Sequence, residues 1–334
     1  MSVAKRHGVV PPGLWYRRPR RHRPITETIR IHGADPASLE DSTVTAVDGG
    51  PRIELAPVEP ADLARTGHIG HIGRFVLLRR LGAGGMGVVY SAYDPELDRK
   101  VALKLLRPGP GSDARERGWL LHEARAAARL AHPNVVAVHE VGTEGGQVYV
   151  AMDFVRGTTL AAWQREPGRT WSEVLEVYVQ AGRGLAAAHA ANLIHRDFKP
   201  TNAIIGADGR VRVLDFGLVY AGEVGAGERI DSSGSFERVA VRLTRDGDVV
   251  GTPAYMSSEQ IRGLTLGPAS DQFSFCASLY EGLYAQLPFA GHTVAEVTQA
   301  IALGQLRPPP RGTRVPAWLL AVRRRGLQPD PDLR

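Results

Sequence analysis

Between Leu193 and Gly217 the chain reads LIHRDFKPTNAIIGADGRVRVLDFG, an interval that crowds two carboxylates, an amide and a lysine between apolar runs. His195-Arg196-Asp197 opens it, Asn202 stands five positions after Asp197, and Asp215-Phe216-Gly217 closes it. The turn Ala207-Asp208-Gly209 separates two short apolar segments that read as strands, so a hairpin is predicted to bring Asp215 back beside Asn202. A carboxylate and an amide oxygen meeting across a hairpin suit a hard, oxygen-preferring cation such as Mg²⁺. The separate carboxylate of Asp197 is placed to accept a proton from a hydroxyl. Together these features point to phosphoryl-transfer chemistry.

Upstream, RFVLLRRL reads as a strand that begins near Gly73 and runs into Gly82-Ala83-Gly84-Gly85-Met86-Gly87. Glycines at Gly82, Gly84 and Gly87 let backbone N–H groups approach phosphate oxygens. A dinucleotide-binding fold would continue from such a loop into a helix, whereas β-branched and aromatic VVYSAY follows, which favours a second strand and a hairpin. VALKLL is a third strand that carries the lone cation Lys104. A helix is predicted from about Asp113 to Leu130, with strands at about 135–141 and 147–153. A long helix follows from about Trp171 to Asn192, and further helices at about 269–286, 293–304 and 316–326.

The spacing His-Arg-Asp-x-Lys-x-x-Asn followed by Asp-Phe-Gly resembles the catalytic and metal loops of the eukaryotic-type protein kinases. HRDFKPTN, GTPAYM and SDQFSF resemble the bacterial serine/threonine members in particular. The resemblance covers roughly residues 73–334. It implies an α+β, bilobal protein-kinase fold, with a small antiparallel β-sheet N-lobe bearing one main helix and a larger, mostly α-helical C-lobe. It also implies ATP and Mg²⁺ (or Mn²⁺) as cofactors and protein Ser/Thr hydroxyls as acceptors, including the chain's own through self-association.

By the same resemblance Asp197 is the catalytic base and Lys199 steadies the γ-phosphate. Asn202 and Asp215 hold the metal, and Lys104 is set by an ion pair with Glu123, Glu116 being the competing choice. Leu81, Gly82, Ala83, Gly84, Gly87, Val89, Ala102, Lys104, Met152, Asp153, Val155 and Ile204 line the nucleotide site. Among these, backbone groups of Asp153 and Val155 meet the adenine edge, Met152 guards the back of the pocket, and Val89, Ala102 and Ile204 sandwich the base. Asp271 resembles the buried acid that holds the catalytic-loop backbone. The stretch after Gly217 resembles an activation segment, in which Arg196 pairs with a phosphate. In Thr244–Val250, the few residues before Gly251-Thr252, only Thr244 can be phosphorylated, and Asp246 and Asp248 offer a partial substitute for that charge. Ser258 stands where the family carries proline, followed by Glu259, whose implied partner is Arg334. The family's final helix would come after Arg334, so the chain reads as truncated there. A catalytically silent scaffold or a small-molecule phosphotransferase would share the fold, but no signature residue is missing and the long activation segment favours a protein substrate.

Charge is unevenly spread. Residues 1–30 carry eight basic and one acidic residue, a charge of +7 that leaves the remaining chain at −1 and the whole at +6. Residues 1–72 lack any sustained period and are predicted to be a disordered arm, basic first and acidic after, with no specific nucleic-acid partner. The kinase-like domain is assigned to 73–334. Cys276, the single cysteine, excludes an intrachain disulfide framework. No apolar run reaches the roughly 18 to 20 residues of a membrane span, and no signal peptide opens the chain. A cytoplasmic location is expected.

Overall fold

The computed structural model describes residues 69–84, 87–106, 114–216 and 253–334. The N-terminal arm, Gly85 and Met86, and the interval 217–252 with Thr244, Asp246 and Asp248 lie outside the described residues.

The N-lobe is an antiparallel sheet in the order β1-β2-β3-β4-β6-β5. Its strands are β1 (Gly70–Ile72), β2 (Phe75–Gly84), β3 (Gly87–Asp94), β4 (Arg99–Leu106), β5 (Val138–Glu144) and β6 (Gln147–Asp153). β1 extends the sheet three residues ahead of the boundary predicted at Gly73. β5 begins later than expected, because Val135 and Val136 leave the sheet to join the other lobe. Alternation along β4 sends Ala102, Lys104 and Leu106 to one face, where Ala102 and Leu106 pack with Leu120 and Ala124 of α1 (Ala114–Ala128). Val101 and Leu103 turn to the other face and pack with Phe75, Leu77 and Tyr149.

A second sheet, β7 (Gly157–Thr159), β8 (Ala203–Gly206) and β9 (Val211–Val213), begins the C-lobe, and α2 (Leu160–Gln164) follows β7 directly. α3 (Trp171–Ala190) starts at a capping box, in which the Thr170 hydroxyl accepts from the Glu173 N–H and the Glu173 carboxylate accepts from the Thr170 N–H. Its Val174, Tyr178, Ala181, Leu185 and Ala188 recur at helical spacing and are all buried. The described remainder holds α4 (Ser258–Ile261), α5 (Pro268–Tyr284), α6 (Val294–Ala302) and α7 (Ala317–Gly326). The lobes are stitched where Asn134 meets β9: Val213 N–H donates to Asn134 O at 2.9 Å, Val136 N–H to Val213 O at 3.0 Å, and the Asn134 amide to Val211 O at 2.8 Å.

At the far end of the C-lobe Arg334 grips Glu259 with both guanidinium nitrogens, Nη1 to Oε1 at 2.6 Å and Nη2 to Oε2 at 2.8 Å. Both side chains are buried, and Ser270 donates to the same carboxylate at 2.7 Å. Ser258, where the resemblance implies proline, donates its hydroxyl to Pro329 O and lies 3.2 Å from Glu259 Oε2.

Removing one partner of a buried, bidentate pair strands the other charge. Arg334→Ala is therefore expected to lower the unfolding free energy by about 3 to 5 kcal/mol, measured by urea denaturation at pH 7. Burial is the largest single influence on Glu259 and pushes its carboxyl up, but Arg334 and Ser270 outweigh it and hold the group at about 2. A carboxyl held below its unfolded value stabilises the fold above that value and loses the contribution as pH falls through the folded one. The advantage of wild type over the variant should thus be full at neutral pH and shrink between about 4.5 and about 2.

Candidate active site

Residues 193–216 fold as a loop and a hairpin. Pro200 at the start of a short 3₁₀ turn ends the loop, and β8 and β9 pair antiparallel across the Asp208-Gly209 turn, with Ala203 opposite Val213. Leu214 N–H donates to Asn202 O at 2.9 Å, so Asp215 comes back beside Asn202 as the spacing predicted.

Asp197 sits in a web of donors. Lys199 Nζ lies 3.0 Å from its Oδ2, and the Asn202 amide donates to that oxygen at 3.1 Å and to the Asp197 carbonyl at 2.7 Å. With both Nδ2 hydrogens committed to Asp197, the Asn202 side-chain oxygen is the atom left to ligate. Asp215 adopts a left-handed backbone, φ 61°, and pairs with Lys104 at 2.9 Å. Lys104 is buried on β4, an inner strand between β3 and β6, rather than solvated at an edge. The next residue, Phe216, is buried against the His195 ring, with centroids 4.8 Å apart.

Beneath the loop lies Asp271, wholly buried, which accepts from His195 N–H at 2.7 Å, Arg196 N–H at 2.8 Å and His189 Nε2 at 2.7 Å. The backbone role expected of Asp271 is the one it has here, and His189 is an addition that the sequence argument missed. Arg196 is itself left-handed, φ 67°, a conformation that persists only where surrounding bonds fix it.

One expected pairing is different. The sequence predicted Glu123 against Lys104, but the Glu123 carboxylate accepts from Arg196 Nη1 at 2.6 Å, and Lys104 holds Asp215 instead. The physical reason is competition: two cations and two carboxylates share the cleft wall, and each buried charge takes the partner within reach. Between α1 and β6 lies a small cavity of about 20 Å³, lined by residues that include Ala124, Val136, Val150, Met152, Asp215 and Phe216.

The residues that the resemblance assigns to a nucleotide site fall on several elements. Val89, Ala102, Met152 and Val155 belong to one apolar cluster, while Ile204 faces away from the buried Ala203 on its strand. Asp153 donates its N–H to Ala137 O at 2.9 Å, and its carboxylate meets His139 at 2.7 Å. Leu81, Gly82, Ala83 and Gly84 run along β2, with Gly82 opposite Val89 and Gly84 opposite Gly87, the hairpin predicted from VVYSAY. A Cβ at Gly82 or Gly84 would meet nothing within 4 Å, the open backbone that close approach of a phosphate needs. Gly87 has another reason to be glycine: its φ is 143°, and a Cβ there would fall 1.9 Å from Leu105 O.

Among the described residues no group of three or more His, Cys, Asp or Glu could hold a metal ion. Asn202 and Asp215 supply hard oxygen donors but only two positions, a set that suits a cation whose other ligands are phosphates and water.

A family model for the protein kinase domain matches residues 75–331. The chain belongs to the protein kinase domain family. Among curated proteins this kinase domain is similar to the serine/threonine-protein kinase PknA of Mycobacterium tuberculosis, 35% identical over 244 residues that make up 71% of this chain and 52% of that protein. It is also similar to PknF of the same species, 36% identical over 250 residues, 72% of this chain and 49% of the relative. PknE of Mycobacterium bovis is 34% identical over 265 residues, 78% of this chain and 43% of the relative. The chain thus spans about half the length of the curated kinases it matches. Among the described residues no helix is long and apolar enough to cross a membrane.

Burial pushes the Glu123 carboxyl up to about 7 against the pull of Arg196. A carboxyl raised in this way costs the fold stability as pH climbs from about 4.5 to about 7, because the folded state gives up its proton late. In a carbon-detected NMR titration the Glu123 carboxyl should show a midpoint near 7, and Arg196→Met should move it higher. A midpoint in the ordinary glutamate range would mean that Glu123 leaves this buried pair in solution.

Proposed function

We propose that this kinase domain transfers the γ-phosphoryl group of ATP to serine and threonine hydroxyls of proteins, its own included, in cytoplasmic signal transduction. The observation that carries the reading is the Asp197 carboxylate, held by Lys199 and Asn202 at the mouth of a cleft whose wall presents Asp215 and Lys104. Such a reaction asks little covalent chemistry of the protein and much positioning.

Asp197 orients the acceptor hydroxyl and takes its proton as the new O–P bond forms. Lys199, already beside that carboxylate, steadies the transferred group's negative charge. Asn202 and Asp215 would hold Mg²⁺, or Mn²⁺ in its place, which when bound would neutralise charge on the phosphate oxygens. Gly82, Ala83, Gly84 and Gly87 shape the flap over the phosphates. Leu81, Val89, Ala102 and Ile204 enclose the base, and the Asp153 carbonyl and Val155 backbone read its edge in front of Met152. Lys104 sets the α- and β-phosphates, and for Glu123 to brace it there Glu123 must exchange Arg196 for Lys104. Lysine two places after Asp197 resembles the serine/threonine kinases, and the relatives named above carry that same designation.

The two carboxylates should fail differently. Asp197→Asn is expected to keep ATP affinity while kcat falls by about 10²- to 10⁴-fold, the loss of a general base. Asp215→Asn should lose both metal-dependent ATP binding and turnover. Isothermal titration with ATP and Mg²⁺, paired with transfer of labelled phosphate to a generic protein substrate and to the chain alone, measures both. Equal loss of ATP binding in the two variants would overturn the division of roles.

A further inference from the structure

Arg196 and Asp197 share a peptide bond, and the orientation of that peptide decides where the Asp197 side chain points. Its N–H side is held within the loop, Asp197 N–H donating to His195 Nδ1 at 3.3 Å. Its C=O side is held from outside the loop: Gln260 Nε2 donates to Arg196 O at 2.5 Å. Gln260 belongs to α4, at the end of the interval 217–252 where that interval rejoins the described fold. Its other amide atom is committed as well, Oε1 accepting from Ser257 N–H at 3.0 Å in the capping box that starts α4. The two partners fix the amide's orientation without ambiguity, because Ser257 N–H can be met only by an oxygen and Arg196 O only by the NH₂ group.

We propose that Gln260 is a positioning residue for the catalytic base, setting the Arg196–Asp197 peptide through its Nε2 donor. The left-handed Arg196, φ 67°, makes such a restraint consequential. Asp271 secures the N–H of Arg196 and Gln260 secures its C=O, so both ends of a strained residue are tied to helices of the C-lobe. Without the Gln260 bond the peptide plane keeps only the longer contact of Asp197 N–H with His195 Nδ1, so it can tilt about the ψ of Arg196 and carry the Asp197 carboxylate away from its acceptor. The proposal rests on the kinase reading given above.

Gln260→Glu isolates the donor from the cap. Glutamate is the usual residue at the third position of a capping box, so it keeps the acceptor for Ser257 N–H and the start of α4, but it presents an oxygen where Arg196 O needs a hydrogen. The expected result is a kcat lower by about tenfold, the loss that one buried hydrogen bond carries, with KM for ATP changed less than twofold and a melting temperature lowered less than in Gln260→Leu, which loses the cap as well. Gln260→Leu should show the same kcat loss together with a lower melting temperature, since it removes the cap too. Hydrogen exchange supplies a readout independent of catalysis: the amide of Asp197 should exchange faster in Gln260→Glu while the amides of α3 and α5 keep their wild-type protection. Wild-type kcat in Gln260→Glu, or unchanged exchange at Asp197, would overturn the positioning role. A wild-type chain that transfers no phosphate to any substrate would instead remove the kinase reading, and the exchange comparison would still decide whether Gln260 holds the peptide.

Discussion

A single buried carboxylate underlies the geometry of the cleft. Asp271 has no exposure and accepts the N–H groups of His195 and Arg196 together with His189 Nε2. A charge moved from water to a protein interior is tolerable only if its oxygens are fully met, and here the donors that meet them are the backbone of the loop that carries Asp197. The need to satisfy Asp271 and the need to hold Arg196 in a left-handed turn therefore answer each other. Neither would persist alone: a loop without the acid would relax out of φ 67°, and an acid without the loop would be an uncompensated buried charge.

From that anchor the restraints radiate. His195 passes its Nε2 to Leu214 O at 2.7 Å, which fixes the residue before Asp215, and its ring supports Phe216. The loop and the segment that ends in Asp215 are thus one unit, bonded side chain to backbone. The charges above this unit are less settled. Lys104 with Asp215, and Arg196 with Glu123, form two side-chain pairs. The half-buried Glu123, whose Oε2 lacks any hydrogen-bond partner among the described residues, is the weakest member of the set. A carboxylate that is only partly satisfied is the one whose change of partner costs least.

Much of this was legible in the chain. The hairpin between Asn202 and Asp215 followed from a turn signal between two short apolar runs, and the helices Trp171–Ala190, Pro268–Tyr284, Val294–Ala302 and Ala317–Gly326 followed from apolar spacing and came within a few residues of their predicted ends. The pair Glu259–Arg334 was carried by the family resemblance. What escaped was of two kinds. β1, β7 and α4 are too short to show a period, and their existence depends on what they pair with or cap. Glu123 with Arg196 is a choice among partners, and the sequence reveals which charges are present but not which of two cations stands nearer. Gln260 lies between these cases, since Ser257 followed three places later by Gln260 is a visible capping signal, while the reach of its Nε2 to Arg196 O is tertiary.

Ser258 shows how a departure from a family pattern is absorbed. Proline suits the first position of a helix because its missing N–H would be unpaired there in any case. Serine at that position gains nothing from conformational restriction, yet its hydroxyl is buried and donates to Pro329 O while lying beside Glu259. Pro329 O also receives Arg334 Nη2 at 3.0 Å, so the serine joins the same polar cluster that neutralises Glu259. The substitution exchanges a restraint on the unfolded chain for a hydrogen bond in the folded one, and it does so where a buried carboxylate already demands donors. That is why the Glu259–Arg334 pair keeps its bidentate geometry despite the change beside it.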